Sequence, residues 1–242
     1  MAGVLDEDRG FVFIHVPKCA GRSITEILLH SAPPAPFGGG RTGRLVAALR
    51  RSKPARSFRD LDGLREVVDR ENMTSGEVVR DIGHARARDI RALIGTDTYE
   101  RLLSFSVVRN PWDRLSSRYH FFQGRPRAED HEVALGSLDD FIRWSCEQRP
   151  ATMSERLTDR SGKLIVDRIL RFESLHDDFA ALSGELGLGG DPLPYFNVSP
   201  NSQQHTPTSD AVIELVQDTY RDDFGLFGYS PDPNERTAIG TN

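Results

Sequence analysis

Residues 11–24 read FVFIHVPKCAGRSI, and this stretch decides the fold class. Its first half is rich in aromatic and β-branched residues, which favours a buried strand, and Pro17, which lacks an N–H group, ends that strand. Residues 22–30 then carry apolar side chains at helical spacing, at Ile24, Ile27 and Leu28. A strand that passes through a short turn directly into a helix is typical of α/β proteins.

The same alternation of short apolar runs and amphipathic stretches continues along the chain. Further strands are predicted at 76–82, 102–108 and 164–172. Further helices are predicted at 87–94, 111–122, 138–148, 174–186 and 209–220. This order predicts an α/β fold in which helices cover both faces of a central parallel sheet. No repeat or linker interrupts the pattern, so residues 1–242 are predicted to form a single domain.

Composition excludes several classes of protein. The chain has 242 residues, of which 38% are hydrophobic and 28% charged, and a formal net charge of −5. This acidic balance argues against a general nucleic-acid binder. The chain has no signal peptide at its start, no apolar run long enough to span a membrane, and only Cys19 and Cys146 as cysteines. We therefore predict a cytoplasmic protein that has neither nucleic acid nor a membrane as a partner; its oligomeric state cannot be read from the sequence.

Residues 31–60 are predicted to be a mobile basic insertion, because Pro, Gly and Ser are crowded at its start. Within it, residues 41–59 hold seven basic side chains and no acidic one. Two interpretations stay open for this stretch. It is either a solvated surface or an electropositive lip beside a site for an anionic ligand.

The turn at 17–23 has the composition of an anion site. Lys18, Gly21 and Ser23 stand where a helix begins, and helix N-termini present unpaired N–H groups and partial positive charge. A Walker A loop in this register, GxxxxGK[ST], would need a glycine at Val16 and a lysine at Arg22. The turn therefore fits a phosphate site better than an ordinary ATP loop, and a plain strand–helix turn is the alternative.

A second motif follows the strand predicted at 102–108. This strand delivers Arg109 to its carboxyl end, the edge where α/β sheets bind ligands. Ser117 lies eight residues further on, about two turns into the next helix. An arginine and a hydroxyl suit a phosphate monoester. The alternative for Arg109 is a salt bridge at the end of the strand.

The two motifs, PKCAGRS at 17–23 and VVRNPWDRLSSRY at 107–119, resemble those of the sulfotransferases that use 3′-phosphoadenosine-5′-phosphosulfate (PAPS). The resemblance is closest to the carbohydrate sulfotransferase branch, whose 5′-phosphosulfate loop is typically PKTGGTS and whose 3′-phosphate motif has Arg and Ser eight apart. The segments at 167–179, 193–207 and 220–229 are similar to the same branch. Cys19, Ala20 and Arg22 depart from it, and Arg22 puts a charge where the branch has a hydroxyl.

The resemblance implies a P-loop-like fold and a set of site residues. It places the PAPS-binding residues at Lys18, Cys19, Ala20, Gly21, Arg22, Ser23, Arg109 and Ser117. It assigns Lys18 to stabilising the leaving phosphate and His84, in the Gly83-His84 step, to the base that accepts the acceptor's proton. The implied donor is PAPS, the product is 3′-phosphoadenosine-5′-phosphate (PAP), and no metal is required. The implied acceptor is a hydroxyl-bearing small molecule or glycan.

Other functions and softer site residues remain open in the sequence. One alternative is a nucleotide-dependent phosphotransferase, and another is a PAP-binding regulatory module without turnover. Phe172 is expected either to stack on adenine or to fill the core. Glu173 is expected to pair with an arginine, and a second base is the alternative. His15 is expected in the core, and the Asp222-Asp223 pair is expected to be surface charge.

Overall fold

The computed structural model describes residues 3–7, 9–30, 79–125, 131–188, 193 and 209–235. The insertion predicted at 31–60, with its basic stretch 41–59, lies outside these residues. The first part of the strand predicted at 76–82 lies outside them too. The single-domain organisation of residues 1–242 stays a prediction.

In the described part of the chain, five strands form one sheet. In chain order they are β1 Val4–Asp6, β2 Phe11–Ile14, β3 Val79–Asp81, β4 Leu103–Val108 and β5 Arg168–Arg171. Their order across the sheet is β3-β1-β2-β4-β5.

The described helices flank this sheet. In chain order they are α1 Gly21–His30, α2 Ala87–Ile94, α3 Thr96–Tyr99, α4 Pro111–Gln123, α5 His131–Ala134, α6 Leu138–Glu147, α7 Met153–Leu157, α8 Leu175–Leu186, α9 Asp210–Thr219 and α10 Arg221–Phe227. A single 3₁₀ turn, Phe172–Ser174, follows β5. None of the helices in the described ranges combines the length and the apolar character needed to cross a bilayer.

The sheet is mostly parallel. Strand β2 pairs in parallel with β4, with Phe13 opposite Phe105, and β4 pairs in parallel with β5. The α/β prediction is therefore confirmed, with one difference: β1 runs antiparallel to both of its neighbours, β2 and β3. Because β1 has only three residues, it shows no periodicity from which a strand could be predicted.

The sheet and its helices bury one apolar core. Every residue of β2 is fully buried, and Phe13 packs against Phe105 on β4 with ring centroids 5.2 Å apart. Helix α4 begins at Pro111, as predicted, and the side chain of Asn110 caps it by accepting a hydrogen bond from the Trp112 N–H at 3.0 Å. These elements hold the ends of β2 and β4 side by side.

The prediction that Asp222 and Asp223 form a surface pair is wrong for Asp223. Its side chain is fully buried, and its carboxylate accepts hydrogen bonds from the N–H groups of Met153 and Ser154 at 3.0 and 2.7 Å. It also lies 3.8 Å from the guanidinium of Arg114. Asp223 therefore caps the start of α7, a short helix that the sequence pattern did not predict.

Candidate functional site

The turn between β2 and α1 has a constrained backbone. Lys18 and Ala20 adopt φ angles of 71° and 53°, in the left-handed region that is unusual for residues other than glycine. The N–H groups of Ala20 and Gly21 have no hydrogen-bond acceptor among the described residues. Such donors at the start of a ten-residue helix are suited to an anion.

The side chains of this turn divide into buried and exposed groups. Cys19 is buried in the core, where burial raises the pKa of its thiol to about 11, so the thiol is not activated. Ser23 is also buried, whereas Arg22 is exposed. An anion at this turn would thus be bound by main-chain N–H groups of the turn and by the cationic side chains around it.

Position 21 requires a glycine because its backbone lies directly against the ring of His15. A Cβ atom at position 21 would overlap the imidazole ring of His15, which packs against this glycine. The His15 ring in turn lies 4.7 Å, centroid to centroid, from the ring of His84. Through this contact the Gly83-His84 step comes beside the turn. His15 is 8% exposed, and burial lowers its pKa to about 3.

Arg109 reaches the same turn from the end of β4. Its Nη1 donates a hydrogen bond to the carbonyl of Lys18 at 3.4 Å, and its Nε is buried with no hydrogen-bond partner among the described residues. Its guanidinium carbon lies 3.9 Å from the centroid of the Phe172 ring. Burial lowers the pKa of Arg109. Phe172 thus supports the arginine, which neither interpretation of this residue included.

Lys18 rests on an aromatic ring. Its Nζ lies 4.0 Å from the ring centroid of Phe121, and the guanidinium carbon of Arg125 lies 4.1 Å from the same centroid. Burial, together with the charges of Arg109 and Arg125, lowers the pKa of Lys18 to about 8. The ammonium group is therefore poised to lose a proton much closer to neutral pH than an ordinary lysine.

Glu173 and Ser117 were also singled out in the sequence. Glu173 forms no ion pair with an arginine of the described ranges; its carboxylate accepts from the Asn110 N–H at 2.8 Å and from the Tyr229 hydroxyl at 2.9 Å. Ser117 is half-buried on α4, and no contact joins it to Arg109 in the described part of the chain.

Three residues of the site were not predicted from the sequence. Phe121 supports Lys18, Arg114 donates to the carbonyl of Pro17 at 3.2 Å, and Arg156 donates to the carbonyl of His84 at 2.6 Å. The helical spacing of Arg114 and Phe121, seven residues apart on α4, was the available signal for the first two. Arg156 lies on a helix too short to show a period, so no signal pointed to it.

The arrangement suits a ligand with phosphate groups. Lys18, Arg109 and Arg156 form no ion pair among the described residues, and the unpartnered Nε of Arg109 is the kind of donor that a phosphate oxygen satisfies. Across the same residues, no three His, Cys, Asp or Glu side chains are close enough to hold a metal ion. An anion bound here would lie at the carboxyl ends of β2 and β4.

Comparison with known proteins gives one match. The sulfotransferase family model matches residues 3–230. No curated protein sequence and no solved structure matches the chain. The matched range covers nearly the whole chain and contains both anion-binding motifs, at 17–23 and 107–119. The chain therefore belongs to the sulfotransferase family.

Proposed function

We propose that the protein transfers the sulfuryl group of PAPS to a hydroxyl group on a sugar or glycan and releases PAP. PAPS supplies the activated sulfuryl group. In such a transfer a flat, electron-poor group passes in line between two oxygens, so the protein contributes positioning and charge stabilisation. The S–O bond to the 5′-phosphate breaks, a new S–O bond to the acceptor oxygen forms, and the acceptor's proton must leave.

The observation that carries this proposal is a pair of half-buried cations beside the first turn of α1 that form no ion pair among the described residues. Lys18 and Arg109 converge on one turn, and neither forms an ion pair among the described residues. Burying cations without partners is costly. A ligand with two phosphate groups relieves that cost, which supports a bisphosphorylated nucleotide as the donor.

Each motif receives a role in binding. The residues of the 5′-phosphosulfate loop are Lys18, Cys19, Ala20, Gly21, Arg22 and Ser23. In this loop the N–H groups of Ala20 and Gly21 are the primary donors, and Cys19 contributes its backbone only. Arg109 and Ser117 bind the 3′-phosphate. The resemblance to the carbohydrate branch supports these assignments.

Lys18 and His84 receive the catalytic roles. Lys18 stabilises the oxygen of the leaving 5′-phosphate and can give it a proton, since a pKa of about 8 leaves the ammonium acidic enough to do so. His84 accepts the proton of the acceptor hydroxyl. Its ring contact with His15, and through His15 with Gly21, supports this role.

One titration separates this proposal from the alternatives. Tight binding of PAP without binding of ADP is expected for a PAPS enzyme, whereas a phosphotransferase would bind ADP. Transfer of ³⁵S from labelled PAPS to a panel of sugars then separates an enzyme from a PAP-binding module. Binding of ADP in preference to PAP would reject the proposed function.

Replacement of Lys18 by arginine tests its acid role. Lys18→Arg keeps a positive charge but removes the ability to release a proton near neutral pH. We expect most of the turnover to be lost and PAP binding to be retained, as measured by ³⁵S transfer and by calorimetry. Lys163→Arg, an exposed lysine, is the matched control. Turnover of Lys18→Arg close to that of the wild type would contradict the role.

A further inference from the structure

The register of the sheet brings Phe172 beside Arg109. Strand β5 pairs in parallel with β4, and Arg171 at the end of β5 lies opposite Val108 at the end of β4. The residues that follow them are Phe172 and Arg109, so these two side chains leave the sheet side by side. The guanidinium carbon of Arg109 lies 3.9 Å from the centroid of the Phe172 ring. This contact lies at the carboxyl edge of the sheet, where the donor is proposed to bind.

Few other contacts in the described part of the chain fix the side chain of Arg109. Its Nη1 donates to the carbonyl of Lys18 at 3.4 Å, which is long for such a bond, and its buried Nε has no partner there. No carboxylate of those ranges forms an ion pair with it. A guanidinium carries five N–H donors at its edge, and a ring against its face leaves them available to phosphate oxygens. An acidic partner would instead occupy these donors.

The turn that carries Phe172 is also bonded to the main chain next to Arg109. The carboxylate of Glu173 accepts a hydrogen bond at 2.8 Å from the N–H of Asn110, the residue that follows Arg109. The hydroxyl of Tyr229 donates to the same carboxylate at 2.9 Å. The ring and the arginine are therefore held together both by their side chains and by the adjoining main chain.

Stacking on adenine is the competing role for Phe172. The ring already has the guanidinium of Arg109 over it. It is also half-buried and packs against the apolar core. Both observations favour a role in holding the arginine over a role in contacting the base.

We propose that Phe172 is a positioning residue that holds Arg109 ready for the 3′-phosphate of the donor, and that it does not stack on adenine. This inference rests on the proposed function. An arginine side chain that is ordered beforehand loses less conformational entropy when it binds its ligand. The ring therefore increases the affinity for nucleotides that carry a 3′-phosphate and leaves the affinity for other nucleotides unchanged.

Two nucleotides separate the two roles. PAP and adenosine 5′-monophosphate (AMP) share the adenine, the ribose and the 5′-phosphate, and they differ only in the 3′-phosphate. Binding of each to the wild type and to the variants is measured by calorimetry. Phe172→Leu removes the flat face of the ring and keeps an apolar side chain. We expect this variant to bind PAP about threefold to tenfold more weakly than the wild type and to bind AMP equally well.

Further variants assign the effect to the face of the ring. Phe172→Met, whose flexible side chain adapts to the space left by the ring, should behave like Phe172→Leu. Phe172→Tyr keeps the flat face and should bind PAP like the wild type. Phe122→Leu removes another ring that lies beside an arginine, with the guanidinium carbon of Arg118 at 5.6 Å, and is the matched control. It should leave the binding of both nucleotides unchanged, and unchanged AMP binding shows that each variant is folded.

Two results would overturn the inference. The first is an equal loss of affinity for PAP and AMP in Phe172→Leu and Phe172→Met, which would mean that the ring contacts the part that the two nucleotides share. The second is unchanged PAP binding in both variants. The proposed function is judged separately, in the wild type, by ³⁵S transfer and by the preference for PAP over ADP. A wild type that passes those tests while the variants give either result would keep the proposed function and lose this inference.

Discussion

At the scale of single residues, the chemistry depends on side chains packed in pairs. His84 lies against His15, and His15 fills the space that a Cβ at Gly21 would need. Lys18 lies on Phe121 in the same way. The proposed base, His84, and the proposed acid, Lys18, are therefore each positioned by a neighbouring side chain that does not gain or lose a proton near neutral pH.

The base is tested by substitution of His84. His84→Ala removes the group proposed to take the acceptor's proton, so kcat is expected to fall by about 10²–10⁴-fold, with PAP binding intact. The rate is measured by ³⁵S transfer at saturating acceptor. His176→Ala, at an exposed histidine on α8, is the control. An unchanged kcat would remove His84 from the mechanism.

The support under Lys18 is tested by its titration. Phe121→Leu keeps an apolar cover but removes the attraction of the ring for the ammonium, about 0.5–2 kcal/mol. The pKa of Lys18, about 8 in the wild type, should therefore fall by on the order of one pH unit. Because the protonated form is the one proposed to stabilise the leaving phosphate, the alkaline limb of kcat, expected near pH 8, should move down with it.

This titration can be followed directly because the chain has only three lysines, Lys18, Lys53 and Lys163. Reductive ¹³C-methylation gives each a separate NMR signal, assigned with Lys53→Arg and Lys163→Arg. Phe122→Leu, at the adjacent ring, is the matched control. A Lys18 signal that titrates at the same pH with and without the Phe121 ring would show that the contact does not set the pKa.

At the scale of elements, the sequence predicted long segments better than short ones. Helix α2 has the bounds that its periodicity predicted, 87–94, whereas β1 and α7 were missed because three and five residues show no period. The strand predicted at 164–172 is shorter, Arg168–Arg171. Asp167, just before it, uses its carboxylate to bind Ser104 on the neighbouring strand. Such long-range contacts are not visible in a local pattern.

The same limit applies to the site. The strand–turn–helix geometry at the two motifs was predictable because strand, turn and helix are contiguous in sequence. The contributions of Arg156 and Phe121 depend on tertiary packing, and the buried position of Asp223 depends on a bond to a helix 69 residues away along the chain. Sequence spacing therefore located the carboxyl edge of the sheet but not the walls around it.

Asp223 gives a test at the scale of elements. Asp223→Ala removes the acceptor of the Met153 and Ser154 N–H groups at the start of α7 and leaves Arg114 without its buried counter-charge, which should cost about 3–5 kcal/mol of unfolding free energy. Its neighbour Asp222 is exposed, so Asp222→Ala should stay within roughly 0.5 kcal/mol of the wild type. Urea unfolding measures both. Equal losses in the two variants would contradict the assignment of Asp223.

At the scale of the whole molecule, a net charge of −5 coexists with a cationic site. The sulfotransferase family fits a P-loop-like fold. In this protein a few cations at one edge of the sheet are enough to form the cationic site. The strands that end at this edge differ in how many neighbouring strands they pair with. Strands β2 and β4 have a paired strand on each side, whereas β3, which precedes His84, lies at the edge of the sheet and, within the described ranges, pairs with β1 alone.

Hydrogen exchange tests this difference in support. The amide of Ile82, bonded to the Gly3 carbonyl at 3.1 Å beside the edge strand, should exchange faster than the paired amides of Phe13 and Phe105 in the centre. Exchange is measured by NMR or mass spectrometry without denaturant. Equal protection of the edge and the centre would show that the sheet opens as one unit.

The antiparallel β1 affects the order in which the protein would lose its activities in urea. The main chain of Ile82 and Gly83 is hydrogen-bonded to Gly3, the residue before β1, whereas the chain leaving β2 toward the turn at 17–23 meets His84 through the ring of His15. Detachment of that one edge would withdraw His84 while β2, β4 and their cations remain assembled. Urea should therefore abolish sulfuryl transfer at a lower concentration than it abolishes PAP binding. A preparation that has lost part of its activity should still bind PAP with full stoichiometry.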